Sequence, residues 1–391
     1  MRRLLTPLML LTALTASAQL SHYSHNFKVS ATNFVDSVTI EWQGGQVYVP
    51  VSINGIMHRF LFDTGSGQAV IYKDRPIDGC RPAGRIIAVD AISRRDTVDM
   101  VELPPLTIGT ITLTGCQATV QNRVIKRRDI DGIIGFDIIS KGLNTKIDVQ
   151  NKLLILTDKK DFFDEEEGYE TRYKLNFHVP YILLNPFGRF RELTLFDTGS
   201  RQFYAINRQS YDKGMQSPKN MQGVTVEGRT TGSHAIGNYG SEPEGDVLFL
   251  NLDAMRWGDF LFSDVSTITT QGGSHLGAAL LDYGAVVFNP KRRRVRFEPY
   301  NGTSHCSVNN KSMDIAFVSA NGRPIAGVVR SGSEPYICGF RSGDAIIAID
   351  GRPVNTFAEF TNWSFLRGRE YTFTVMGRDG SLREVRWVRA K

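Results

Sequence analysis

Two aspartates, Asp63 and Asp197, lie in identical six-residue segments, Leu-Phe-Asp-Thr-Gly-Ser at 61–66 and again at 195–200. In each, an apolar run delivers a carboxylate into a tight turn, and a buried carboxylate is costly unless it is hydrogen-bonded or paired. The neighbouring residue types can supply those bonds. Gly65 and Gly199 carry no side chain to block a close backbone approach. The Ser66 hydroxyl, with Ser200 in the same place in the second copy, is expected to bond a carboxylate oxygen. Thr64 and Thr198 carry hydroxyls that can bond across to a partner loop, and the duplication supplies that partner. A pseudo-twofold axis would bring the two carboxyls face to face, where they hold one proton between them over a wide pH range because like charges resist full ionisation. Such a pair is an acid and a base in one site. The charged member takes a proton from a water held between them, the protonated member donates to a carbonyl oxygen, and water attacks directly without metal, cofactor or covalent intermediate. Asp-Thr-Gly is also good turn chemistry, and a single copy would leave a purely structural turn open. Two matching copies favour catalysis by Asp63 and Asp197.

The elements that would hold these residues repeat as well. Val49-Pro50 stands before the first copy, followed by an apolar strand, an Asn54-Gly55 hairpin signal and a return strand. Val179-Pro180 stands before the second, with a turn at Asn185-Pro186-Phe187-Gly188. Downstream, Ile133-Ile134-Gly135-Phe136 has a counterpart in His275-Leu276-Gly277-Ala278, and each leads into two strands joined by a short polar turn. The repeat is far longer than a solenoid unit and reads as a duplicated domain. Short β-branched runs broken by Gly and Pro predict a mainly β fold of two pseudo-symmetric small barrels. The charged stretch 158–170, with Asp164-Glu165-Glu166-Glu167, reads as a linker between them.

Asp-Thr-Gly-Ser followed by a hydrophobic-hydrophobic-Gly segment, twice in one chain, resembles the pepsin and retropepsin superfamily of aspartic peptidases, and most of all the bacterial retropepsin-like proteins that carry two such units. The resemblance spans about residues 40–157 and 170–299. It implies that Asp63 and Asp197 are the catalytic pair, Thr64 and Thr198 the interlocking threonines, and Gly135 and Gly277 the glycines that pack beneath the active-site loops. His275 departs from the pattern, standing where an apolar residue is usual. The flaps are expected from Ile86–Ala91 and Thr97–Val101, turning at Ser93 to Asp96, with Val224–His234 contributing to the second.

The last eighty or so residues differ in character. Gly339-Phe340-Arg341-Ser342-Gly343-Asp344 running on to Gly351 resembles a PDZ domain of the kind appended to bacterial peptidases, a small α+β unit that binds peptides by adding a strand. A helix over Phe357–Leu366 and a final hairpin over Tyr371–Val388 are expected. The polar stretch Asn301–Ser312 reads as a linker. The resulting division is lobe 1 over 27–157, lobe 2 over 171–299 and the PDZ-like unit over 311–391. The expected partners are protein or peptide substrates and a peptide ligand of the PDZ-like unit. A catalytically inactive peptidase fold serving as a peptide-binding scaffold is the alternative. Gly272-Gly273-Ser274-His275-Leu276-Gly277 lacks the Gly-x-Ser-x-Gly spacing of a serine hydrolase.

Composition adds boundaries. No Cys-x-x-Cys or His-Glu-x-x-His motif gives a metal its ligands. The basic runs Lys126–Arg128 and Lys291–Arg294 lack interleaved aromatics and read as hairpin charge rather than a nucleic-acid surface. Arg2-Arg3, an uncharged apolar stretch to Ala16 and Ala16-Ser17-Ala18 follow signal-peptide order over residues 1–18, and no later stretch is apolar enough for a membrane anchor. Removal of that segment takes two arginines from a formal charge of +6. In an exported chain four cysteines permit disulfides, and Cys80–Cys116 with Cys306–Cys338 would keep each bridge within one domain. Mass spectrometry of the protein from its native host is expected to find a periplasmic or extracellular chain that begins near Gln19; an intact Met1 in a cytoplasmic fraction would refute export.

Overall fold

The computed structural model describes residues 23–90, 94–123, 129–237 and 239–388, so the signal-type segment and the run Lys126–Arg128 lie outside the described residues. The chain is mainly β, as its β-branched runs between Gly, Pro and Asn turns require. The longest helix of the described residues is Arg208–Met215, and none is long and apolar enough to cross a membrane.

Each lobe presents its Asp-Thr-Gly-Ser turn at the end of a hairpin. In the first, Gln46–Ile53 pairs antiparallel with Ile56–Phe62, and the turn residues Asn54 and Gly55 take φ of 53° and 76°, the doubly left-handed geometry of a tight hairpin. In the second, Val179–Leu184 pairs with Glu192–Asp197 across a wider loop whose Phe187 is buried. Counting from the aspartates, Tyr48 opposes Leu61 and Tyr181 opposes Leu195. The true counterpart of Val49-Pro50 is therefore Ile182-Leu183. The two Val-Pro dipeptides are not equivalent, because the unequal turns shift the outer strand relative to the motif.

A third strand locks each turn. Gly132–Ile134 runs parallel to Ile56–Phe62 and antiparallel to Ala69–Tyr72. His275–Gly277 runs parallel to Glu192–Asp197 and antiparallel to Tyr204–Asn207 in the same way. Beneath both lobes lie six strands in the order Val35–Thr39, Leu153–Thr157, Asn144–Asp148, Gly284–Asn289, Arg294–Pro299, Tyr169–Asn176. Its central pair joins the lobes, with Thr145 opposite Phe288 and Ile147 opposite Val286. Phe288 rises from this sheet to meet Phe136 of lobe 1 at 5.2 Å and Phe196 of lobe 2 at 5.6 Å, ring centre to ring centre. These two rings directly adjoin Gly135 and Asp197, so the sheet and both active loops share one core.

The acidic connection between the lobes is laid against this sheet. Phe163 is buried, Arg292 pairs with Asp161 and Asp164, and Arg294 pairs with Glu170. Two of the arginines that read as a basic run are thus neutralised by the linker.

The C-terminal unit is a sheet ordered Ile315–Ala320, Arg323–Val329, Ala345–Ile349, Glu370–Met376, Leu382–Val388, with a core of Phe340, Phe360, Tyr371, Phe373 and Trp387. Its helix Phe357–Asn362 is shorter than the expected Phe357–Leu366. It begins with a reciprocal Thr356–Glu359 capping box. The polar stretch before the unit is not a free linker. His305–Ser307 pairs with Phe260–Ser263, and the Tyr283 hydroxyl donates to the carbonyl of buried Val308 at 2.7 Å. Nor is the unit merely tethered: Val328 is buried with Ala205, Val247, Phe249 and Ile268 of lobe 2.

The four cysteines are unpaired. Cys306 packs on the main core and Cys338 on the core of the C-terminal unit, which keeps that expected pair apart; Cys80 and Cys116 both adjoin the main core without bonding. The docking contact makes a quantitative expectation. Val328→Ala removes two methyl groups from it and should cost about 2 kcal/mol, read as a lower midpoint in urea unfolding. A loss under about 0.5 kcal/mol, the range of ordinary surface changes, would mean a loose tether.

Candidate active site

The two turns meet across the pseudo-twofold axis through their threonines. Thr64 N–H donates to Thr198 Oγ1 at 3.0 Å and Thr198 N–H to Thr64 Oγ1 at 3.1 Å. Each hydroxyl then donates onward, Thr64 to the Phe196 carbonyl at 2.7 Å and Thr198 to the Phe62 carbonyl at 2.6 Å. Both threonines are fully buried. A hydroxyl both donates and accepts, so two side chains satisfy four buried backbone groups and pin each motif to the strand of the other lobe.

This lock sets the aspartates. Gly65 N–H donates to Asp63 Oδ1 at 2.8 Å, and Gly199 N–H to Asp197 Oδ1 at 2.9 Å. The motif glycines face the opposite carboxyl: a methyl group added at Gly65 would stand 2.5 Å from Asp197 Oδ1, and one added at Gly199 would stand 2.5 Å from Asp63 Oδ2. Each carboxyl thus lies against the opposite motif turn, which brings Asp63 and Asp197 close enough to interact across the axis. Burial raises the pKa of Asp197; its bond to Asp63 and the N–H groups of Gly199 and Ser200 oppose that rise. The half-buried Tyr181 lies close enough to Asp197 for the carboxylate to add to burial in raising its phenol.

The serines differ from their expected role. Ser66 Oγ donates to the Gln68 carbonyl at 2.7 Å and not to a carboxylate, and Ser200 reaches Asp197 Oδ1 through its backbone N–H at 3.2 Å. The backbone amides had already filled the carboxylate's near side, leaving the hydroxyls to brace the loop. Gly135 and Gly277 lie against these loops. A side chain at Gly135 would strike the Gln68 backbone at 2.6 Å, and one at Gly277 the Ser200 carbonyl at 2.8 Å. Phe136 N–H donates to the Ser66 carbonyl and Ala278 N–H to the Ser200 carbonyl. His275 fits by bonding, with Nδ1 3.2 Å from the Gly273 carbonyl and Nε2 3.2 Å from Gln202 Oε1. Burial lowers its pKa and favours the neutral ring.

Several residues here had no sequence signal. Fully buried Gln46 crosses between lobes: Nε2 donates to the Gly199 carbonyl at 2.8 Å, and Oε1 accepts from Arg201 at 3.0 Å. Asp137 is buried next to Gly135–Phe136, with the Tyr23 hydroxyl 2.8 Å from Oδ2; burial pushes its pKa up to about 6 against that hydrogen bond. The mismatch between Gly135-Phe136-Asp137 and Gly277-Ala278-Ala279 was the one trace of Asp137 in the sequence.

The first expected flap is a hairpin of Arg81–Val89 with Arg95–Glu102; Ala91 and Ser93 of its expected turn lie outside the described residues. It packs Ile86, Val98 and Met100 with Tyr23 and with Tyr239 of lobe 2. The second expected flap is corrected. Val224–Gly232 pairs with Gly245–Leu252, and its Gly228 and Gly232 face Arg330 and Gly327, so this strand is a docking surface for the C-terminal unit. For the lock itself, Thr198→Val leaves Thr64 N–H and the Phe62 carbonyl unpaired and should cost about 2–4 kcal/mol. Thr64→Val should cost the same, both read by urea unfolding; a negligible or grossly unequal loss would overturn the reciprocal lock.

Against known proteins, no curated sequence matches the chain. Among solved structures it is similar to basic 7S globulin from soybean, at a TM-score of 0.43 and 11% identity, covering 68% of this chain and 94% of that one. It is similar also to conglutin gamma, a basic 7S globulin from lupine seeds, at a TM-score of 0.42 and 10% identity over 68% and 95% of the two chains. Residues 49–138, the span that holds Asp63, Thr64, Gly65, Ser66 and Gly135, match the family model described as aspartyl protease.

Proposed function

We propose that the protein is an exported aspartic-type endopeptidase whose catalytic pair is Asp63 and Asp197. The observation that carries this reading is the meeting of the two carboxyls across the lobe interface, each lying against the motif glycine of the other turn. The pair holds one proton, because two carboxylates in contact resist full ionisation, and the charged member acts as base. It accepts a proton from water as the oxygen attacks the peptide carbonyl, while the protonated member donates to the carbonyl oxygen. The tetrahedral product then collapses, with a proton passing to the leaving nitrogen as the C–N bond breaks. The rigid, mutually braced loops support this role, since preorganised groups need not rearrange as charge develops. Neither Thr64 nor Thr198 takes part in proton transfer; each has its hydroxyl committed to the lock. The match of residues 49–138 to an aspartyl protease model supports the same class. The substrates are proteins or peptides, the reaction uses no metal or cofactor, and the PDZ-like unit regulates it.

Asp63→Asn and Asp197→Asn should each abolish cleavage of a denatured protein substrate, by at least about 10³-fold, while leaving urea unfolding cooperative. A chain that binds peptides with wild-type affinity but cleaves none, with both aspartates intact, would restore the scaffold reading. The pH profile carries a sign. Because burial raises the Asp197 pKa, the single proton persists to higher pH than on an exposed aspartate, and kcat/KM should decline as pH rises through that raised value. Activity that climbs steadily into the alkaline range would contradict the shared-proton dyad.

A further inference from the structure

The PDZ-like unit has an exposed-type edge strand, Ile315–Ala320, whose one neighbour in the sheet is Arg323–Val329. An edge strand of this kind pairs with an added peptide. Ser319 opposes Pro324, which has no N–H to give, so the Ser319 N–H and C=O turn outward, and lobe 2 occupies them. Ser241 Oγ donates to the Ser319 carbonyl at 2.8 Å and accepts from its N–H at 3.1 Å. One hydroxyl thereby answers both backbone groups that a bound peptide strand would answer. Ser241 belongs to a small hairpin in which Ile236 pairs with Ser241 and Gly237 with Gly240. Ile236 of that hairpin packs against the aromatic core of the PDZ-like unit. A backbone-mimicking contact on the edge and an apolar side chain into the core are the two components of peptide recognition by strand addition.

The same hairpin holds the flap. Tyr239 N–H donates to Asp90 Oδ2 at 3.0 Å, Arg94 Nη1 donates to the Tyr239 carbonyl at 3.4 Å, and the Tyr239 ring joins Ile86, Val98 and Met100 of the flap strands. The hairpin's base is fixed in lobe 2 by buried Glu242. One oxygen accepts from His234 N–H and Ala235 N–H at 2.9 and 3.0 Å, and the other from the Thr270 hydroxyl at 2.6 Å. A groove of about 440 Å³ opens between Arg94 of the flap, Ser241 and Glu244 of lobe 2, and Val318 and Ala320 of the edge strand. One short hairpin thus touches the flap, the second lobe and the PDZ-like edge.

We propose that the paired segments Ile236–Gly237 and Gly240–Ser241 are a built-in ligand of the PDZ-like unit's edge strand, and that this occupancy sets the position of the first-lobe flap, so that an extended peptide carrying an apolar side chain regulates the active site by displacing the hairpin. The unit is then a switch that reads a competing peptide, and not a free hook that recruits substrate. The effect on cleavage rests on the peptidase reading above; the mechanical link rests on the contacts alone.

Amide hydrogen exchange on the full chain separates the two. The double variant Ile236→Ala/Ser241→Ala should raise exchange at Ser319 and, through the lost grip, at Ile86, Val98 and Met100 by about five- to tenfold, the scale of one or two lost hydrogen bonds. Arg94→Ala approaches from the other side: flap exchange should rise with Ser319 unchanged. A synthetic peptide of residues 234–242 should bind the double variant and restore slow exchange at Ser319 without restoring the flap. Unchanged flap exchange in the double variant, with Ser319 exposed, would overturn the coupling. Slow exchange at Ser319 in that variant would overturn the ligand assignment. Because exchange is read without turnover, a chain that cleaves nothing would defeat the peptidase reading and leave this inference standing. In an active chain, the double variant should shift KM for a long substrate at least threefold; an unaltered KM with a loosened flap would refute regulation of the site.

Discussion

The reciprocal hydrogen bonds of Thr64 and Thr198 are the constraint on which the molecule turns. Each threonine serves a backbone N–H of its partner and a carbonyl of the opposite strand. The arrangement is buried, where an unmade hydrogen bond carries its full desolvation penalty. Neither lobe can satisfy its own loop, so each half of the site is finished by the other. The glycines follow from the same closeness: only a residue without Cβ can sit against the opposite carboxyl at the distances seen for Gly65 and Gly199.

Below the lock, packing carries the alignment into the body of the protein. Phe288 rises from the strand pair that joins the lobes and touches Phe136 and Phe196, one ring from each lobe. A densely packed aromatic cluster transmits displacement rather than absorbing it. The six-stranded sheet and the threonine lock therefore hold the same pseudo-twofold axis at two levels, one by dispersion and burial, the other by hydrogen bonds. Burial supplies the electrostatics as well. It raises the Asp197 pKa, against the pull of the Gly199 and Ser200 N–H groups and of Asp63.

The C-terminal unit changes what the two lobes expose. Its Val328 covers Val247, Phe249 and Ile268, residues that a two-lobed protein would otherwise have to shield by a flap or a polar face. The strand Val224–Gly232 is consequently a packing surface, with glycines where the two backbones approach closely. Asymmetry between the lobes is the physical outcome: lobe 1 has a hairpin that reaches across to Tyr239, whereas the corresponding face of lobe 2 is committed to the unit that follows it in the chain.

The duplicated Leu-Phe-Asp-Thr-Gly-Ser, read with the glycines downstream, was enough by itself to name the facing aspartates, the threonine contact and a mainly β, two-lobed chain, because those features depend on local residue types and on a repeat that any self-comparison finds. The Asn54-Gly55 turn was legible for the same reason, its geometry being a property of two adjacent residues. Contacts between distant segments were not legible. Gln46 meets Gly199 and Arg201 because the lobes face each other, and Tyr23 meets Asp137 because the chain's start runs back beside the first active loop. The matching Val-Pro dipeptides misled because strand register is counted through turns of unequal length, and the cysteines because pairing depends on side-chain approach and not on sharing a domain. The serine hydroxyls lost the carboxylates to nearer backbone N–H groups, a competition that only three-dimensional distance decides.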